Sequence, residues 1–279
     1  DKHRPLLSWT GAQLTQRELD ILSSPREWLN DGVITFWFEY LSRFVVNGKE
    51  DGGGDHMILV SAESAFWLGM ESDSEEVEAA LENLGISMSV DSNSRSSSAN
   101  QASSTVSVLF PMNDNLDPSQ ASAGSHWSLL MLRFNRCSSD TYASPAVLFW
   151  TLFDSGPNSY AGSITETGTF NMNTVPGRFA YKISESLMAM REQMLVSHVS
   201  KNTHSDLNAG RGPAPSLRLK YDVCQEMPTQ TNQHDCGVYV AAVAERIAAF
   251  MPSAKSGSDS TADLSSLVDW LQRALTPVL

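Results

Sequence analysis

Three short apolar segments in the middle of the chain most constrain the fold. They cover residues 105–112, 126–134 and 146–154, and turn-forming sequences bound each of them. Apolar runs of this length, rich in branched and aromatic side chains, favour buried β-strands over helices. The polar connection between the last two segments is typical of a hairpin and predicts antiparallel neighbours. The chain is therefore expected to contain a central sheet.

Helical periodicity on either side of these segments predicts an α+β domain, with a mixed or antiparallel central sheet flanked by helices. Pro25 is expected to interrupt the first helical stretch, and Asn30 or Asp31 to cap the helix that resumes after it. The predicted helices are 15–45 around that interruption, 71–84, 183–199, 237–250 and 264–275. The other predicted strands are 57–60 and 217–223, and the predicted long loops are 155–180 and 204–216.

Residues 1–279 are interpreted as one domain that carries one insertion. Nine of the eighteen residues at 87–104 are serine. Such a segment buries too little apolar surface to offset the entropy lost on ordering it. It is therefore predicted to be a disordered surface insertion within the domain.

Composition argues against several classes of protein. The formal net charge is −13, and the sequence contains no cluster of Lys and Arg residues that would form a basic patch for nucleic acid. No apolar run approaches the roughly 18 residues that a membrane helix needs, and no signal peptide is evident, so no membrane partner is expected. The expected location is the cytoplasm or the nucleus. An acidic surface instead favours encounter with basic partners.

Cysteine usage is sparse. The chain contains Cys137, Cys224 and Cys236, none of them in a CxxC pair. Three cysteines cannot form a disulfide framework, and this spacing does not fit a zinc site. No metal and no cofactor are expected.

Cys236 has the sequence context of a nucleophile. It follows the polar stretch PTQTNQHD and directly precedes an apolar helix that starts near Gly237. Unpaired backbone N–H groups at a helix N-terminus stabilise a thiolate, and glycine permits the close backbone approach that an oxyanion-binding turn requires. A buried cysteine that caps a core helix is the alternative interpretation.

His126 and Asp154 are candidates to complete a triad. His126 begins one predicted strand after the small residues SAGS, and Asp154 ends the next strand. Antiparallel pairing would bring these two strand ends together, so that the carboxylate could orient the imidazole. Taken singly, the two residues also fit a half-exposed strand histidine and a turn-forming aspartate. His234 is a rival base, but no acid orienter accompanies it.

Four sequence blocks together resemble the Ulp/SENP family of ubiquitin-like-protein proteases. The blocks are WLNDGVITFWFEYL, HWSLLML, LFDS and QTNQHDCGVYV, which extend from Trp28 to Tyr239. The chain order His, Asp, Cys is also the order of that family. Within the family, FPMNDNLDPSQASAGSHWSLL and the stretch LLSWTGAQLTQRELDILSSPREWLNDGVI resemble the deneddylase branch. The resemblance implies a papain-like Ulp-type fold with the nucleophile at a helix N-terminus.

The resemblance also assigns catalytic roles. Cys236 matches the nucleophile, His126 the general base and Asp154 its partner. Gln230, six residues before the cysteine, matches the side-chain donor of the oxyanion hole.

A second set of residues matches positions that bind the substrate. Trp127 matches the tryptophan that covers a narrow tunnel for a Gly-Gly tail. Trp28 and Asp31 match positions that contact the modifier's tail, and Asn115 lies in the NDN stretch that the deneddylase branch shares.

The function implied by the resemblance is cleavage after the C-terminal Gly-Gly of a Nedd/Rub-type modifier. The substrate would be a precursor or a conjugate with cullin-like proteins, and a monomer is expected. One alternative is the same chemistry on a SUMO-type modifier or ubiquitin. A second alternative is an inactive module that only binds the modifier, whose expected mark would be a lost triad residue or a lost glutamine. This sequence retains all four.

Overall fold

A computed structural model describes most of the chain from residue 4 to residue 250. The described residues are 4–9, 11–24, 26–46, 56–88, 105–115, 126–136, 147–156, 171–202, 218–224, 227, 229–230, 232 and 234–250.

The described strands and helices largely occur in separate runs along the chain, including three consecutive strands, as in an α+β domain. The strands are β1 (Pro5–Trp9), β2 (Ala12–Thr15), β3 (His56–Leu59), β4 (Thr105–Asn113), β5 (Trp127–Asn135), β6 (Val147–Phe153) and β7 (Arg218–Val223). The helices are α1 (Gln16–Ser23), α2 (Asp31–Leu41) with a π-helical extension (Ser42–Val46), α3 (Ala62–Met70), α4 (Ser74–Asn83), α5 (Val175–Asn202) and α6 (Cys236–Phe250).

Within the described residues, strands β3 to β7 form a five-stranded mixed sheet in sequential order. Strands β4, β5 and β6 pair antiparallel, whereas the outer strands β3 and β7 pair parallel to β4 and β6. The three central strands are those predicted from the sequence. The antiparallel pairing predicted for β5 and β6 is confirmed, and β4 also pairs antiparallel with β5. Two-sided burial explains why they appear as continuous apolar runs rather than as alternating ones.

Helices cover both faces of this sheet. On one face, side chains such as Phe110 and Trp150 pack against α3, α4 and α5. On the other face, side chains such as Leu109 and Met131 pack against α2 and α6. Successive strand residues point to opposite faces, so one strand supplies both cores.

The N-terminal region differs in part from the prediction. The helices on either side of Pro25 are confirmed, and Asn30 caps α2 because its side chain accepts a hydrogen bond from the Val33 N–H at 3.0 Å. The hairpin of β1 and β2 was not predicted. Its strands hold only nine residues and lie outside the main sheet, so neither makes the long apolar run that marks a core strand.

Two predictions on helices and loops need correction. The loop predicted at 155–180 is wrong over residues 175–180, where α5 already begins. Thr174 starts this helix, since its hydroxyl accepts from the Gly177 N–H, and proline in the first turn is a start signal that the interpretation overlooked. Helix α3 was also not predicted, although Ser61 caps it with a hydrogen bond from Ser64 N–H.

Several predictions fall outside the described residues. These are nearly all of the Ser-rich segment, the loop at 204–216 and the helix at 264–275. Among the described helices, none is long and apolar enough to cross a membrane.

Candidate active site

Two strand ends bring His126 and Asp154 together. His126 directly precedes β5, and Asp154 directly follows β6. The antiparallel register pairs Leu129 with Phe153, so the start of one strand lies beside the end of the other. The Nε2 atom of His126 lies 2.5 Å from Oδ1 of Asp154.

The carboxylate of Asp154 is held in place by its own loop. It is 6 % exposed, and its Oδ1 also accepts a hydrogen bond from the Gly156 N–H at 2.9 Å. A Cβ atom added at Gly156 would lie 3.2 Å from that oxygen and 3.3 Å from Nε2 of His126. Glycine at this position therefore allows the loop to close tightly over the His–Asp pair.

The backbone of His126 is anchored by a residue that the sequence interpretation did not single out. The His126 N–H donates to Oδ1 of Asp114 at 3.0 Å, and the Asp114 N–H donates to the His126 carbonyl at 3.1 Å. In the same segment, the Asn115 N–H donates to the side chain of Asn113. The NDN stretch thus helps to fix the position of the His126 backbone, from which the imidazole extends.

Cys236 is the first residue of α6 and is almost fully buried. The Asp235 carbonyl accepts from the Tyr239 N–H at 2.9 Å, which places Asp235 at the cap and Cys236 in the first turn. The Asn232 side chain supports this turn by accepting from the N–H groups of His234 and Asp235. Backbone N–H groups of such a first turn point out of the helix and favour negative charge there.

His126 interacts with both of its predicted partners. Burial acts to lower the pKa of His126, but hydrogen bonds to Asp154 and Cys236, together with electrostatic attraction to both, outweigh it. The pKa of His126 is raised to about 10, so the ring is protonated at neutral pH. Because Nε2 is engaged by Asp154, Nδ1 is the ring nitrogen left for the sulfur. His126, rather than the rival His234, has the carboxylate orienter.

Gln230 lies beside the same loop. Its backbone N–H donates to the Ser155 carbonyl at 2.9 Å, and the Ser155 hydroxyl donates to its Oε1 at 3.2 Å. The acceptor end of the amide is thereby engaged, and the amide NH₂ is left as a donor. Ser155 was not among the residues predicted for the site.

Trp127 is held by the loop that precedes α2. Its indole N–H donates to the Leu29 carbonyl at 2.9 Å. Trp28 packs against the core cluster that contains both Trp127 and Cys236. Leu29 also lies against the start of α6, since a Cβ atom added at Gly237 would lie 2.8 Å from the Leu29 Cβ. No local sequence pattern pointed to Leu29.

A groove of about 200 Å³ lies beside Trp127, and its lining includes none of Cys236, His126, Asp154 and Gln230. Three of the four predicted substrate-binding residues line it, namely Asp31, Asn115 and Trp127. Its remaining walls are largely apolar and come from α3, the end of β4 and the start of α5. These walls include Phe66, Met70, Met112, Val175 and Phe179. The sequence interpretation missed them because it did not predict α3 or the first turns of α5.

A thiol at a helix N-terminus, whose charge interacts with an imidazole that a buried carboxylate holds, is the arrangement of a cysteine protease site. A model for the C-terminal catalytic domain of the Ulp1 protease family matches residues 90–265. This chain therefore belongs to the Ulp1 protease family, as the four sequence blocks indicated.

Two relatives agree with this assignment by name. The chain is 22% identical over 252 residues to the "Probable sentrin-specific protease 8" of Dictyostelium discoideum, covering 87% of this chain and 74% of that protein. It is 31% identical over 126 residues to the "Sentrin-specific protease 8" of Homo sapiens, covering 45% of this chain and 49% of that protein.

Two solved structures are similar at low TM-scores. One is titled "Crystal structure of the de-sumoylating protease", with a TM-score of 0.42 and 14% identity over 95% of this chain and 82% of that chain. The other shows "Xanthomonas campestris effector protein XopD bound to ubiquitin", with a TM-score of 0.41 and 14% identity over 98% of this chain and 96% of that chain. The family assignment rests on the sequence match rather than on these two likenesses.

Proposed function

We propose that this protease cleaves after the C-terminal Gly-Gly of a Nedd/Rub-type ubiquitin-like modifier, with Cys236 as its nucleophile. The observation that carries this proposal is the contact of one imidazole with two partners. His126 meets the Asp154 carboxylate at 2.5 Å and interacts electrostatically with Cys236, the first residue of α6. That arrangement suits acyl transfer to sulfur.

In the first step, the Cys236 thiolate attacks the carbonyl carbon of the modifier's last glycine. A C–S bond forms and the carbonyl π electrons move to oxygen. The tetrahedral intermediate then collapses, and the C–N bond breaks as His126 transfers a proton to the leaving amine. The raised pKa of His126 favours this role, because the ring carries the proton at neutral pH.

The oxyanion would be stabilised by the amide NH₂ of Gln230 and by backbone N–H groups at the start of α6. The Ser155 contact supports this role for Gln230, since it holds the amide with its acceptor engaged. In the second step, neutral His126 takes a proton from water, which attacks the thioester. The C–S bond breaks, and the modifier leaves as a carboxylate.

The groove beside Trp127 is proposed to receive the residues that precede the Gly-Gly. Its apolar walls suit aliphatic side chains, and its lining carries two carboxylates, Asp31 and Glu63, against one guanidinium, Arg178. Those carboxylates, and the net charge of −13, favour basic residues in the tail. Trp28 and Trp127 are proposed to form a narrow tunnel that admits only glycine at the reacting end of the tail.

The choice of modifier rests on similarity. The two relatives described above are called sentrin-specific protease 8, and the NDN segment and N-terminal block resemble the deneddylase branch. Precursors of the modifier and its conjugates with cullin-like proteins are the proposed substrates. We further propose that the enzyme acts as a monomer in the cytoplasm or nucleus.

Covalent trapping tests both the nucleophile and the partner. Nedd/Rub-type, SUMO-type and ubiquitin probes that carry a C-terminal electrophile are incubated separately with the protein, and adducts are located by mass spectrometry. We expect the Nedd/Rub-type probe to react fastest and to modify Cys236. The Cys236→Ala variant is the control and should form no adduct while still binding the modifier.

Each other result decides between the alternatives. Faster reaction with a SUMO-type or ubiquitin probe would keep the chemistry and overturn the choice of modifier. Binding of a modifier without an adduct at Cys236 would instead indicate an inactive binding module.

A further inference from the structure

The main chain and side chain of Leu29 touch two parts of the site at once. Its carbonyl accepts the indole N–H of Trp127 at 2.9 Å. Its side chain lies against Gly237, the residue that follows Cys236, so closely that a methyl group there would clash. A shift of Leu29 would therefore move the tryptophan, the helix tip or both.

The residue after Leu29 is tied to a buried carboxylate on α1. Asn30 donates from Nδ2 to Oε1 of Glu18 at 2.9 Å, while its own Oδ1 accepts from the Val33 N–H. The other oxygen of Glu18 accepts from the N–H of Thr15 at 2.9 Å and from the Thr15 hydroxyl. Both carboxylate oxygens are thus used, and they link α1 to the loop before α2.

Several observations distinguish Glu18 from a surface helix carboxylate. The residue is only 8 % exposed. Burial acts to raise the pKa of Glu18, but the hydrogen bonds from Thr15 and Asn30 outweigh it and hold the pKa below its ordinary value. The Cα of Gly32 also packs against the carboxylate, since an added Cβ would lie 3.4 Å from Oε1. Glu18 is therefore an ionised anchor under the loop.

We propose that Glu18 is a positioning residue for the protease, which acts through Asn30 to hold Leu29 against both Trp127 and the helix tip that presents Cys236. This inference rests on the proposed function, because it assigns the loop before α2 to the tunnel that receives the modifier's tail. Glu18 itself touches neither Cys236 nor His126, so its effect is on geometry rather than on proton transfer.

A reciprocal swap of the two side chains tests this directly. In Glu18→Gln, one of the two sets of hydrogen bonds is lost, because the amide has a single acceptor oxygen. In Asn30→Asp, two carboxylates face each other without a donor between them. The double variant exchanges the amide and the carboxylate between positions 18 and 30. Its amide oxygen at position 18 accepts from Thr15, and the amide NH₂ donates to the new carboxylate at position 30, which still caps the Val33 N–H.

The matched control for these variants is Gln16→Ala. This change lies on the same helix and removes an exposed hydrogen bond from the Gln16 amide to Asp20. It leaves the contacts of Glu18 with Thr15 and Asn30 in place. Any effect that it shares with the other variants therefore reports a change in α1 itself and not in the link to the loop.

Three measurements are made on each full-chain variant below its unfolding temperature. They are kcat/KM on a modifier–fluorophore substrate, the rate of alkylation of Cys236 by iodoacetamide, and the hydrogen-exchange protection of the Trp127 indole N–H by NMR. We expect each single variant to lose about tenfold in kcat/KM, to lose indole protection and to be alkylated more slowly at Cys236, because Leu29 contacts both Trp127 and the residue after Cys236. The double variant should recover to within about threefold, and Gln16→Ala should match the wild type.

Other outcomes overturn the proposal. Single variants with wild-type indole protection would show that Glu18 does not hold Leu29. A loss that the double variant does not reverse, or one that Gln16→Ala shares, would indicate general damage instead. Failure of the wild type on every modifier would refute the proposed function, while indole protection would still decide whether Glu18 positions the loop.

Discussion

The hydroxyl of Ser155 donates to Oε1 of Gln230 across 75 positions of sequence, at 3.2 Å. Ser155 follows Asp154 directly, so the loop that ends β6 supports the base partner and the glutamine amide together. The backbone bond from Gln230 N–H to the Ser155 carbonyl closes this link a second time. The Asp154 carboxylate and the Gln230 amide are thereby positioned by one turn of chain.

Removing the amide donor should slow the chemical step. We expect Gln230→Ala to lower kcat by about 10²- to 10³-fold, because the oxyanion loses a preorganised donor. Gln230→Glu keeps the size and an acceptor for Ser155 but removes the N–H donors, so it should be at least as slow. Steady-state kinetics on a modifier–fluorophore substrate measure both variants. A wild-type kcat in either one would remove Gln230 from the oxyanion hole.

Cys224 and Cys236, which are both buried in the core on the α6 face of the sheet, should differ sharply in function. Cys236→Ala is expected to lower turnover by at least about 10⁴-fold, because the nucleophile is lost. Cys224→Ala, a matched change in the same core cluster, should lower the unfolding temperature yet keep kcat within about threefold. Equal loss in both variants would point to damage to the core rather than to a nucleophile.

The pH dependence should report the ion pair of His126. Removing the charge of Asp154 in Asp154→Asn takes away a cause that raises the pKa of His126, so this pKa should fall. The alkaline limb of kcat/KM should then move from near pH 10 to lower pH. The control is Asp222→Asn, which removes an exposed carboxylate on β7 and should leave the alkaline limb of kcat/KM unchanged. An unshifted alkaline limb in Asp154→Asn would contradict the assignment.

The same ion pair makes a prediction for stability. The folded-state pKa of His126 is raised above its ordinary value. The contribution of the His126–Asp154 ion pair to the free energy of unfolding is therefore fully present below about pH 6.5. That contribution is lost as the pH rises through about 10. The difference in free energy of unfolding between wild type and Asp154→Asn should decline over this range. Urea titrations at several pH values measure it, and a difference that grows with pH would contradict the pairing.

A single methyl group at Gly156 should disturb catalysis. The Cβ of Gly156→Ala would lie 3.2 Å from Asp154 Oδ1 and 3.3 Å from His126 Nε2, so the pair must shift by a few tenths of an ångström. We expect kcat to fall about tenfold with KM within about twofold, since geometry of the base is changed rather than binding. At Gly69 an added Cβ meets the Phe179 ring at an ordinary 3.5 Å. Gly69 lines the groove, so Gly69→Ala is expected to change KM alone and to keep kcat. Similar losses of kcat in both variants would argue against a specific effect of Gly156.

Much of the architecture was predictable from local patterns. The central strands were evident because they are long apolar runs buried on both faces, and the Asn30 cap because its residue type satisfies free N–H groups. The loop predicted over the first turns of α5 was wrong because glycine and polar residues outweighed the helix start at Thr174. That error also concealed part of the groove.

The residues of the candidate site also fall into two groups, those indicated by local sequence position and those identified only by contacts in space. Cys236, His126 and Asp154 could be nominated from sequence because each stands where a strand or helix begins or ends. Their chemistry depends on residue type and local position, which the sequence states. The supporting contacts of Leu29, Ser155 and Glu18 join segments distant along the chain, and only the packing of sheet, helices and loops decides them. A hydrogen bond or van der Waals contact depends on distance in space, which no local pattern encodes.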